Sequence, residues 1–142
     1  MKRERVTLIT LGVQDLDRSR RFYADWGWQA HPASQPGLVL FQMTGAALAL
    51  FQRGELAHDQ GRPEAELGTG AMTLAQNCAD DAEADAVFAA ALAAGARAIK
   101  PPEKAVWGGY SGYFADPDGH VWEIACNPFW PLDADGGLTL PG

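Results

Sequence analysis

The amino-acid sequence predicts an α+β fold: one domain built from two βαβββ modules. Three observations carry this reading. The chain reads in order as strand, helix and three strands, and then as the same series again. Thr7-Leu8, Asp15 and Phe22 recur at one constant spacing as Thr73-Leu74, Asp81 and Phe88, and Gly27 answers to Gly95. Late in the chain, WGGYSGYFADPDGHVWEIACNP from Trp107 to Pro128 reads as two strands about a tight acidic turn. One βαβββ unit leaves a face of its sheet bare. Two units side by side bury part of that face and leave a groove, so the expectation is a curved mixed sheet with a central groove.

Each element has a local cause. The β-branched run Val6 to Val13 predicts the first strand. Asp15 suits a helix N-cap, Leu16, Phe22, Tyr23 and Trp26 fall near one face, and Gly27 ends the helix. Trp28 to Ala33 reads as a strand before a turn at Pro36-Gly37. Leu38 to Met43 and Ala46 to Gln52 read as two more strands, joined at Thr44-Gly45. Residues 53–69 are polar and rich in Gly, Glu and Pro, which reads as a loop or short helix between the modules. In the second module Ala71 to Asn77 is a strand, and Asp80 or Asp81 caps an Ala-rich helix that ends near Gly95. Arg97 to Lys100 is a further strand. The modules thus span about 5–52 and 70–128, followed by a tail, 129–142, whose Phe129, Trp130, Leu132, Leu138 and Leu140 need cover.

The Trp107–Pro128 run holds most of the candidate chemistry. Asp116-Pro117-Asp118-Gly119 is a turn signal: Pro presets φ, Gly accepts positive φ, and Asp bonds the local backbone. Strand alternation after it puts Val121, Glu123 and Ala125 on one face and Trp122, Ile124 and Cys126 on the other. Glu123 is therefore an acid in mid-strand among apolar neighbours, where an unpartnered carboxylate is costly.

Composition narrows the function classes. The net charge is −7, from 18 acids against 11 bases, which argues against nucleic acid and against an anionic membrane surface. The N-terminal apolar run is too short for a signal peptide or a membrane span. Cys78 and Cys126 lack paired spacing and read as buried thiols in a reducing cytoplasm.

The Asp-Pro-Asp-Gly-His turn followed by Trp-Glu-Ile, with the strand order around it, resembles the C-terminal signature of the vicinal oxygen chelate superfamily. That superfamily includes glyoxalase I, extradiol dioxygenases, fosfomycin-resistance enzymes and bleomycin-resistance proteins. The resemblance covers roughly Val6 to Pro128. It implies paired modules with eight strands and two main helices, and frequent homodimers. It also implies, for the metal-dependent members, four His or carboxylate ligands on the first and last strands of each module. Here the matching positions hold Leu8, a residue within Leu48 to Leu50, and a residue within Ala71 to Thr73; Glu123 alone is of ligand type. His31, His58 and His120 lie in turns or the linker and do not restore the set. No metal or other cofactor is expected.

Every candidate has a structural alternative. Glu123 is either a general base facing the groove or a former ligand position satisfied by a nearby donor. Trp107, Tyr110, Tyr113 and Trp122 either line a pocket for a flat or cationic ligand or serve as core, and for Trp122 the core reading is the stronger. Arg53, Glu55 and His58 form a lid or are solvated linker charges. The resemblance implies a metal-free binder of a small organic molecule that forms a homodimer in the cytoplasm. The alternative is a metal-dependent or divergent enzyme, a lyase, isomerase or dioxygenase, that uses Glu123.

Overall fold

The computed structural model describes all 142 residues. Seven strands form two sheets, with three α-helices. The first module runs β1 (Leu8–Val13), α1 (Leu16–Trp26), β2 (Leu38–Gln42) and β3 (Ala47–Gln52). The linker forms α2 (Arg53–Gln60) and a short 3-10 turn at Glu64–Glu66. The second module runs β4 (Thr73–Asn77), α3 (Asp81–Ala93), β5 (Arg97–Lys104), β6 (Tyr110–Ala115) and β7 (Val121–Cys126). The first sheet has the order β1-β3-β2 and the second β4-β7-β6-β5. In both, the first strand of the module lies parallel to its last, and the last is antiparallel to the one before it. The repeat seen in the sequence is thus a repeat of topology.

The strand expected at Trp28–Ala33 does not form, so there are seven strands where eight were expected. The segment still runs beside β2: His31 N–H donates to Leu40 O at 2.7 Å, and Leu40 N–H donates to Ser34 Oγ at 2.9 Å. The donors that would extend the pairing are taken by side chains, Ala33 N–H by His31 Nδ1 at 3.0 Å and Leu40 N–H by Ser34 Oγ, so no ladder follows. β5 differs the other way. It was expected to end at Lys100, yet it continues through Pro101-Pro102 to Lys104. It is an edge strand with register shifts on both sides of Lys100, and an edge with bulges tolerates missing donors.

The helices begin and end where their caps dictate. Asp15 accepts from Arg18 N at 3.0 Å, and Gly27 takes the left-handed conformation that closes α1. In the second module the cap is Asp80, which accepts from Glu83 N at 2.7 Å.

Both helices cover the same core. α3 presents Ala84, Phe88 and Ala91, one face at helical spacing, and its small residues let α1 lie close. Trp26 Nε1 on α1 donates to Val87 O on α3 at 3.1 Å. Beneath them Phe22, Tyr23, Trp26, Phe41, Phe114 and Trp122 form one aromatic cluster, in which Trp26 stacks on Trp28 at 5.4 Å. Fully burying each ring stabilises the fold by roughly 1.5–3 kcal/mol.

Candidate functional site

The Asp116–Gly119 turn ties the modules together, and its chemistry is local in origin. Asp116 Oδ1 accepts from Asp118 N and His120 N, each at 2.9 Å, as the turn motif requires. Its second oxygen, buried, accepts from Tyr23 Oη at 2.6 Å, and Tyr23 Oη in turn accepts from Trp122 Nε1 at 3.1 Å. Burial pushes the Tyr23 phenol well above its ordinary range, helped by the Asp116 charge. Burial also raises the Asp116 carboxyl, against the opposing hydrogen bond from Tyr23. The same turn reaches the start of the first helix, where Asp118 Oδ1 accepts from Gln14 N at 2.7 Å and meets Arg18 at 3.2 Å. His120, beside the turn, is half-buried, with Nε2 2.8 Å from Gly12 O. These bonds seal one end of the seam between the two sheets. Beside them, under α2, a cavity of about 310 Å³ remains.

The other end of the seam is open. There the short turn Met43–Ala46 faces the end of β4 and the start of α3, and no hydrogen bond joins them. The C-terminal tail lies across the gap. Thr44 Oγ1 donates to Asp135 O at 3.3 Å, and Leu132 pairs with Leu138 to form a small loop. Asp133 Oδ1 holds that loop by accepting from Asp135 N and Gly137 N. The cleft beneath the tail, open to solvent on one side, measures about 930 Å³. Its walls include Trp28, Trp122 and Trp130, and its rim carries Glu83, Asp133 and Asp135.

The five site residues read from the sequence do not converge. Trp122 is a core residue, 3% exposed, whose ring forms part of the wall of the large cavity. Glu123 and Tyr113 are register partners on β7 and β6 and share the opposite sheet face, outside both cavities. The Tyr113 phenol is raised first by burial and then by the Glu123 charge beside it. Tyr110 lies on the helix side, where its hydroxyl donates to Asp85 Oδ1 at 2.6 Å and Lys104 sits over its ring. Trp107 folds across Gly109 in the β5–β6 turn, at the surface. In the linker, Arg53 donates to Leu67 O and pairs with Glu64, which ties α2 to the segment after it. Cys78 borders the large cavity, but burial and then the Glu83 charge push its thiol to about 11. Burial and Asp81 raise Cys126 as well, so neither thiol is an activated nucleophile.

Compared with known proteins, residues 5–124 match the family model described as Glyoxalase/Bleomycin resistance protein/Dioxygenase superfamily. The chain belongs to this superfamily. A solved structure of a glyoxalase-related enzyme from Fulvimarina pelagi is 38% identical, with a TM-score of 0.89 over 98% of this chain and 99% of that one. A glyoxalase/bleomycin resistance protein/dioxygenase from Nocardioides is 26% identical, with a TM-score of 0.72 over 100% of this chain and 90% of the other. Lactoylglutathione lyase from Agrobacterium tumefaciens, at 24% identity and a TM-score of 0.66 over 87% and 94%, shares the fold. No curated protein matches the chain. No helix is long and apolar enough to cross a membrane.

Metal-dependent members of the superfamily hold their cation on the first and last strands of each module. The side chains on the corresponding sheet face are Leu8 and Thr10 on β1, Ala47 and Ala49 on β3, Thr73 and Ala75 on β4, and Glu123 on β7. One carboxylate among methyl and hydroxyl groups does not fit a four-donor centre.

The sequence reading missed the three-tryptophan cavity. Its signal was present in the apolar tail: Trp130 flanked by Asp133 and Asp135 is a segment that must cover something.

Proposed function

We propose that the protein is a metal-free, small-molecule-binding member of the superfamily, and that it works as a homodimer in the cytoplasm. One observation carries this reading. Where catalytic relatives keep a cation, Glu123 stands alone, while the open seam holds a cavity of about 930 Å³, within the range that accepts drug-sized molecules. The free thiols of Cys78 and Cys126 suit a reducing compartment.

Elemental analysis of the purified chain, paired with light scattering, tests the proposal. The expected results are metal far below stoichiometric and a mass twice the 15.2 kDa chain. A tightly held transition metal at one per chain, or a monomer, removes the corresponding part.

A catalytic reading has its own support. The 38% identical relative is described as an enzyme, and Glu123 faces Tyr113 in a pairing that suits proton transfer. In that reading Glu123→Gln abolishes a turnover that the wild-type chain displays. Under the binding reading the substitution leaves ligand affinity unchanged.

A further inference from the structure

The tail-covered cavity has a chemistry of its own. Its 20 lining residues include no Lys, Arg or His. Three are carboxylates, Glu83, Asp133 and Asp135, and none of them takes part in a salt bridge. Glu83 spends one oxygen on Ala79 N, and Asp133 spends one on the tail loop. The Asp135 side chain accepts no hydrogen bond within the chain. Three indole rings, Trp28, Trp122 and Trp130, come from the loop after α1, from β7 and from the tail. An anion placed here meets three negative groups and no countercharge. A cation meets the carboxylates and the exposed indole of Trp130, while Trp28 and Trp122, packed into the aromatic core, form the floor. Flat rings match indole walls, which favour stacking over irregular aliphatic contact.

We infer that the open end of the inter-module seam, roofed by residues 129–142, binds a flat organic cation, with Trp130 as the stacking wall and Asp135 as the free countercharge. The inference rests on the small-molecule reading above and specifies its ligand class and its place. The site is distinct from the Glu123 face, and it exists only because the tail crosses the gap that the short Met43–Ala46 turn leaves.

The test is a titration of the full chain, followed by tryptophan fluorescence and calorimetry at low salt. The probes are N-methylquinolinium, neutral quinoline at pH 8, and quinoline-2-carboxylate. N-methylquinolinium is expected to bind about tenfold more tightly than quinoline, and the carboxylate not measurably. Trp130→Leu is expected to weaken the cation by about tenfold and Asp135→Asn by about threefold. Glu103→Gln removes the same charge from the distant β5 edge and leaves binding unchanged. Circular dichroism verifies that each variant is folded. Equal affinity for all three probes, no binding of the cation, or full affinity in both site variants overturns the inference. If quinoline or the carboxylate binds best and still depends on Trp130, the ligand class falls while the small-molecule reading stands. A stoichiometric metal with turnover removes that reading whatever the titration gives.

Discussion

Tyr23 is where the two modules meet chemically. Its hydroxyl donates to Asp116 and accepts from Trp122, both across the seam, and the residue is fully buried. Tyr23→Phe keeps the ring but leaves a buried carboxylate oxygen and an indole N–H without partners. The expected cost is about 1–3 kcal/mol, read as a lower urea midpoint with an unchanged slope. Asp116 makes a separate, pH-dependent contribution. Burial raises its pKa in the folded state, so the native chain binds this proton more readily than the unfolded chain does. Its contribution to stability is therefore greatest below about pH 4, the ordinary aspartate range, and falls as pH rises through the elevated native value. Asp116→Asn should flatten that part of the stability profile in denaturation measured across a pH series. An unaltered profile would show that another group sets the slope.

Elements whose causes are local were legible in the sequence, and those set by neighbours were not. The Asp15 cap, the Gly27 terminator and the Asp-Pro-Asp-Gly turn each depend on a few adjacent residues, and each forms as read. Trp28–Ala33 has strand-forming residues, but the Ala33 and Leu40 N–H groups bond to side chains instead of completing a ladder with β2. β5 runs past two prolines because its outer edge is unpaired and the register shift between Lys100 and Glu103 leaves neither proline in the ladder with β6. The bulged β5–β6 pairing brings backbone unusually close to Gly112. A Cβ there falls 2.7 Å from Pro102 N and 2.9 Å from Lys100 O, and neither is the tip of a flexible side chain. Gly112→Ala should therefore cost about 1–3 kcal/mol and lower the melting temperature. A neutral result would mean that the bulge relaxes freely.

At the scale of the whole molecule, the fold was readable because duplication repeats its signals, while the cavity was not. Its walls come from residues far apart in the chain, Trp28, Trp122 and Trp130, and periodicity carries no information about such a meeting. The candidates that sequence did offer came from one aromatic run, and strand alternation scattered them: Glu123 and Tyr113 to one face, Trp122 and Tyr110 to the other.

The unequal turns of the two modules have a wider consequence. A doubled architecture offers each kind of joint twice. Here the longer acidic loop acts as a rivet, and its shorter counterpart leaves a vacancy that the last fourteen residues close over. Rigidity and open space are thereby assigned to opposite ends of a single seam. The tail can then be altered without loosening the rivet.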